Sequence, residues 1–134
     1  MGSLMDLAKY RFETALSDLK AAELLFEASE YRGSINRSYY GIFHSLRSVV
    51  AMDNFDSKKH SGIIAYFNEH YVKTAVFEKS VSKAVSTAYR LREKSDYQDF
   101  YIVSAEEAQI QLEKARYVIF TVKEYLLTKG ISLN

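Results

Sequence analysis

The sequence contains no cysteine, no proline and no tryptophan. Without cysteine there can be no disulfide and no thiolate metal ligand, a usage that fits the cytoplasm. Without proline nothing removes a backbone donor inside a helix, so long uninterrupted helices are open to the chain. Five glycines in 134 residues leave few tight turns. No apolar run approaches the roughly 20 residues that a membrane span needs. The opening stretch MGSLMDLAKY lacks a basic segment leading into an apolar core, so it does not read as a secretory signal. Residues 1–4, MGSL, read as an expression remnant or disordered leader ahead of a start at Met5. An excess of charge is missing too: 18 Lys and Arg face 17 Asp and Glu, for a net charge of +1. The chain as a whole therefore sets up no field for nucleic acid, and any such binding has to come from a local cluster of cations.

What is present is helical periodicity, in a chain long enough for one domain over residues 1–134. Ala8, Phe12, Ala15, Leu19, Ala22 and Phe26 follow a 4-3-4-3-4 spacing, with Leu16 and Leu25 beside them, and predict a first helix over about 5–29. EYRGS then breaks it, with Gly33 as the turn residue and Ser34 as the N-cap of the next helix. Ile35, Tyr39, Ile42, Leu46, Val49 and Val50, with Phe43 at the edge, give that second helix an apolar face over about 35–52. A polar loop, DNFDSKKHSG, leads to a short third helix over about 61–70, and Phe77, Val81, Ala84, Ala88 and Leu91 mark a fourth over about 77–94. In SDYQDFYIV the last four residues have strand composition. Ser104 and Glu107 form a capping box ahead of the last helix, whose stripe is Ala108, Leu112, Ala115, Ile119, Val122 and Leu126, with Gly130 as its stop. The fold class is all-α: an up-and-down bundle of four to five helices.

One stretch of the second helix, NRSYYGIFH at 36–44, carries chemistry. Seven residues is about two turns, so Arg37 and His44 point the same way, within roughly 20° of each other. Ser48 and Gly41 fall close to them and Tyr40 borders them, while the strong hydrophobes lie more than about 100° away. Gly41 inside a helix costs roughly 1 kcal/mol against alanine, which asks for a helix or a ligand that approaches closely there. A solvated or interfacial polar pair is one reading of Arg37 and His44. The other is phosphate chemistry. Arginine forks onto two phosphate oxygens, and histidine moves protons near neutral pH. RNA cleavage by its own 2′-hydroxyl needs those two services. Spacing for a metal site is missing, and although Ser48 is one helical turn from His44, no carboxylate is placed to orient the imidazole in a Ser-His-Asp arrangement.

SINRSYYGIFHSLRSVVA resembles the core motif of HEPN domains, in which an arginine and a histidine four to six residues apart share one helix. KKHSGIIAYFNEHYVKT, LREKSDYQDF and SAEEAQIQLEKARYVIFTVKEYL continue the resemblance through residues 6–128, in the prokaryotic branch paired with a minimal nucleotidyltransferase. The resemblance implies a helical bundle, usually a homodimer whose Arg/His stripes face one cleft. It implies a metal-independent endoribonuclease that leaves 2′,3′-cyclic phosphate ends and needs no cofactor. It also implies a toxin whose antitoxin is the nucleotidyltransferase; other members are non-catalytic nucleotide-binding or adaptor subunits. Carried over, Arg37 clamps the scissile phosphate and His44 is the acid/base. Many nuclease members have a polar Asn, Asp or His directly after the arginine; here Ser38 stands there and Asn36 precedes it. Some toxin members carry a tyrosine two residues after the histidine, which the partner modifies; here that position is Leu46.

Candidate RNA or nucleotide contacts around the pair are Asn36, Ser38, Tyr40, Ser48, Lys59 and His60. Lys58 and Lys59 supply charge and His60 a donor, unless His60 only caps the third helix; Tyr40 either stacks a base or sits in an interface. Arg92, Asp96 and Tyr97 form a candidate supporting polar network, in which Asp96 pairs with Arg92 or with Arg37.

Overall fold

The computed structural model describes residues 3–133. These residues build five α-helices: α1 (Ser3–Glu27), α2 (Tyr31–Ala51), α3 (His60–Phe67), α4 (Lys79–Tyr97) and α5 (Ala105–Thr128). A π-helical turn, Asn68–Val72, extends α3. No strand occurs among the described residues, and FYIV runs as an irregular connection with Phe100 and Ile102 exposed. None of the helices is long and apolar enough to cross a membrane. Ser3 and Leu4 are already part of α1, whereas Met1 and Gly2 lie outside the described residues.

The apolar stripes of the sequence form the core. Phe12, Tyr39, Ile42, Leu46, Val49, Ile119 and Leu126 are fully buried, and Phe67, Val81 and Leu112 close around them. α2 is the central element and touches α1, α3, α4 and α5. The Ser104–Glu107 capping box is present at the start of α5. At its end, Gly130 has φ +83° and its N–H donates to Leu127 O, while Ile131 N–H reaches back to Leu126 O. That is a Schellman arrangement, which a left-handed residue makes possible.

The α1–α2 turn differs from the expected one. Ser29, with φ +61°, takes the left-handed position, and the Ser29 and Glu30 amides cap the Phe26 and Leu25 carbonyls. α2 therefore starts four residues earlier than its apolar face, and Gly33 and Ser34 lie inside it. Gly33 is used for packing, since a Cβ there would sit 3.2 Å from Leu25 Cδ1. Ser34 is no cap: it is buried, and its hydroxyl donates to Ala22 O of α1.

Ser34 begins a row of small residues, Ser34, Ser38, Gly41, Ser45 and Ser48, spaced 4-3-4-3 along α2 and all buried. Ala8, Ala15 and Ala22 recur every seven residues on α1 and are fully buried. At one end Ser34 binds Ala22 O, and at the other Ser48 donates to Ala8 O at 2.6 Å. Midway, a Cβ on Gly41 would meet Ile119 Cδ1 at 3.1 Å and the α1 backbone at Ala15 O and Leu19 N, 3.4 and 3.6 Å away. Gly41 thus serves the close approach of a helix. A valine at this position would drive two methyl groups into α1 and α5. We expect Gly41→Val to cost about 2–3 kcal/mol by overpacking, read as a lower urea midpoint with an unchanged m-value.

Candidate functional site

The close α1–α2 seam sets the position of a carboxylate. Asp18 lies on α1 between Ala15 and Ala22, and the seam carries it to the edge of α2 where Arg37 and His44 emerge. Arg37 Nη1 donates to Asp18 Oδ1 at 3.0 Å. His44 Nε2 lies 4.0 Å from Asp18 Oδ2, an oxygen that is buried without a hydrogen bond. α2 alone offered no carboxylate to the imidazole; α1 supplies one. The signal in the sequence was an acidic residue within the packed stripe of α1, three residues after Ala15 and four before Ala22.

Asn36 is turned onto its neighbour. Its Oδ1 accepts from Arg37 Nε and Nη2 at 3.1 and 2.9 Å, and its Nδ2 donates to Asp96 Oδ2 at 2.9 Å. Asp96 pairs with Arg92, whose Nε is 3.0 Å away, and not with Arg37. Arg92 is buried and donates to Tyr40 Oη at 3.1 Å; its guanidinium also lies over the rings of Tyr39 and Tyr97. Tyr40 in turn lies under the Arg37 guanidinium, 4.8 Å from ring centroid to Cζ. The chain of contacts closes on itself: Asp96 reaches Arg37 through Asn36, and Arg92 reaches it through Tyr40. Such a ring of charge-assisted contacts fixes both guanidinium planes.

A cleft of about 650 Å³ opens beside this ring, lined by Tyr40, Phe43, His44, Arg47, Asp56, Ser57, Lys58 and His60. His60, the first residue of α3, stacks on Phe43 at 3.9 Å and shares a hydrogen bond of 3.0 Å with Tyr39 Oη through Nδ1. Its side chain does not cap α3. Lys58 lines the cleft, whereas Lys59 occupies the exposed N-cap position of α3 outside it.

Two of the proposed contacts are corrected by burial. Ser38 and Ser48 have no exposed surface. Ser48 spends its proton on Ala8 O, and Ser38 belongs to the same buried row. Ser48 falls on the Arg37 face of the helical wheel, but the seam with α1 cuts through that sector, and Ser38 entered only as the residue that follows the arginine in the family motif. Sequence reasoning passed over Arg47 and Arg11, although Arg47 follows His44 by one turn and borders Tyr40 on the wheel.

Burial and the positive charges of Arg47, Arg37 and Arg11, together with His60, push the His44 pKa down to about 4. Burial lowers His60 as well, and raises the Asp18 carboxyl against the pull of Arg37. His44 is thus neutral at pH 7. Perturbed groups of this kind in a cleft make it a candidate functional site.

A family model for the HEPN domain matches residues 8–125. This chain belongs to the HEPN family. A HEPN relative in Methanocaldococcus jannaschii, "Putative toxin MJ0142", is 29% identical over 119 residues, covering 89% of this chain and 81% of its own length. "Putative toxin MJ0605" of the same organism is 38% identical over 85 residues, 63% of each chain. A UPF0332 protein of Thermotoga maritima is 27% identical over 109 residues, covering 81% of this chain and 83% of its own length. The match spans α1 as well as the Arg/His helix, so it includes both sides of the seam that builds the site.

The depressed imidazoles make stability depend on pH. The unfolded chain protonates His44 near its ordinary value of 6.5, and the folded chain only near 4. Between those values the unfolded state binds more protons, so stability falls as pH drops. From pH 7 to pH 5 the His44 contribution is a loss of about 2 kcal/mol. Asp18, with its raised carboxyl, acts in the opposite sense at the acid end. We expect His44→Gln to flatten the decline, measured as urea midpoints at pH 7, 6 and 5.

Proposed function

We propose that this HEPN protein is a metal-independent endoribonuclease, acting in the cytoplasm as the toxin of a pair whose antitoxin is a minimal nucleotidyltransferase. The observation that carries the reading is the neutral His44, held between the Asp18–Arg37 pair and the Arg47 side of the cleft. The names of the two Methanocaldococcus relatives support the toxin role.

In this reading a phosphodiester lies against the exposed edge of Arg37, whose other N–H groups are fixed by Asp18 and Asn36. His44 takes the proton from a ribose 2′-hydroxyl. The 2′-oxygen attacks phosphorus, the bond to the 5′-oxygen breaks, and a 2′,3′-cyclic phosphate forms. The proton is returned to the departing 5′-oxygen, by the same imidazole or by His44 of a second copy in a homodimer. Arg37 stabilises the charge on the non-bridging oxygens as it develops. Asp18 favours the imidazolium at the stage when it carries the proton. Tyr40, His60 and Phe43 offer rings for an unstacked base.

The purified chain, freed of its partner and assayed with a metal chelator, should cleave RNA to products ending in 2′,3′-cyclic phosphate. His44→Ala should lower the rate about 10²–10⁴-fold with unchanged helical circular dichroism. The acid limb of kcat/KM should fall near pH 4, where free His44 protonates, and well below the 6.5 of an ordinary histidine. Folded protein that binds RNA or the nucleotidyltransferase but never cleaves would make the chain a binding subunit of the pair instead.

A further inference from the structure

The cleft holds a second cationic locus that the reaction above does not use. Arg11 of α1 donates Nη1 to the backbone oxygen of Arg47 across the α1–α2 seam, and the two guanidinium groups lie near each other. Both then converge on one atom. Asp56 Oδ2 lies 3.3 Å from Arg11 Nη2 and 3.0 Å from Arg47 Nη2. The burial of the partners is unequal. The Arg11 and Arg47 side chains are 12% and 25% exposed, while Asp56 is 50% exposed and sits on the loop between α2 and α3.

The compensation is also incomplete. Two guanidinium charges share one carboxylate, and the other oxygen of that carboxylate accepts from its own loop, at the Ser57 amide. Arg47 Nε is buried with no acceptor at all. Lys58 and Arg47 both line the cleft, and Asp56 is the single acid among its lining residues. The Asp56 carboxylate gives the two guanidinium groups only one of its oxygens. A phosphate group presents two unesterified oxygens in a diester, or three when terminal, at the corners of a tetrahedron and with one or two negative charges, which matches two forked donors approaching from different helices.

We propose that Arg11 and Arg47 form a phosphate subsite beside His44, that Asp56 occupies it as an internal stand-in, and that an incoming phosphate group displaces Asp56. This rests on the endoribonuclease reading only for the source of the phosphate: a neighbouring nucleotide of the RNA, or the phosphate tail of a free nucleotide. Binding of the anion itself does not depend on cleavage. Asp56 competes with the ligand, so removing this acid strengthens binding.

The test uses the whole chain and pyrophosphate without metal, followed by calorimetry or by backbone amide shifts of Arg47, Ser57 and Lys58. Asp56→Asn keeps an oxygen for the Ser57 amide and removes the charge. It should bind pyrophosphate at least about 5-fold more tightly than the unaltered chain, with an affinity that falls as salt is added. Adding Arg47→Gln to Asp56→Asn should abolish the gain, and Arg47→Lys, which keeps the charge without the fork, should restore part of it. The His44→Ala background should show the same gain, which separates this result from any failure to cleave RNA. Repeating the titration with a nucleoside triphosphate and with an RNA trinucleotide blocked by a 2′-deoxy sugar identifies the source, as whichever shows the Asp56→Asn gain. If Asp56→Asn binds none of the three probes more tightly, or if Arg47→Gln leaves binding unchanged, the proposal is overturned.

Discussion

The close contact between α1 and α2 is the constraint on which the site depends. Small residues line both sides of it: the row from Ser34 to Ser48 on one helix, and Ala8, Ala15 and Ala22 on the other. Hydroxyl groups at the two ends bind carbonyls of the facing helix, which fixes the register as well as the distance. Register matters because Asp18 lies inside the α1 stripe. A slip by one turn would move its carboxylate about 5 Å along the helix axis, away from Arg37 and His44. A larger side chain at Gly41 would widen the seam at the level of Ala15 and Leu19, directly beside Asp18. Packing therefore sets the electrostatics.

Cations near a partly buried surface need partners, and each arginine of the site has one. Arg37 is held by Asp18 and Asn36, Arg92 by Asp96 and Glu93, and Arg11 and Arg47 by Asp56. These partners differ in kind. Asp18 is buried on a helix and Asp96 is largely covered on another, so the two pairs are built into the bundle. Asp56 is half exposed on a loop. The Arg37 guanidinium is thus held rigidly beside the cleft, whereas Arg11 and Arg47 share a counterion with a short route into solvent.

The buried stripes were legible because each is an unbroken run of apolar residues at 3–4 spacing. Every residue of the α2 stripe, from Ile35 to Val50, is buried as its spacing requires. The polar side of α2 was harder to read. A wheel sorts residues by angle and cannot show where a neighbouring helix covers them, so Ser48 looked like a companion of Arg37 when it faces packed protein, as does Ser38, which the family motif had suggested. Gly33 looked like a turn because glycine usually supplies the left-handed residue, yet Ser29 took that position and Gly33 went to packing. Asp18 was invisible from α2 because its role exists only once two helices are in register. The Arg92–Asp96 pair, by contrast, lies one turn apart on a single helix and needs no tertiary information.

The low His44 pKa follows from the same arrangement. Burial and surrounding positive charge both disfavour a protonated imidazole. A phosphate group reverses the second of these influences, since each negative charge placed among Arg37, Arg47 and Arg11 offsets their repulsion of the imidazolium. In the proposed reaction the imidazole is a weak base before a phosphate group binds and a stronger one afterwards, when it would meet a 2′-hydroxyl. Under that proposal, proton affinity at His44 and phosphate affinity at the arginines are two sides of one linkage, so each increases the other by the same factor.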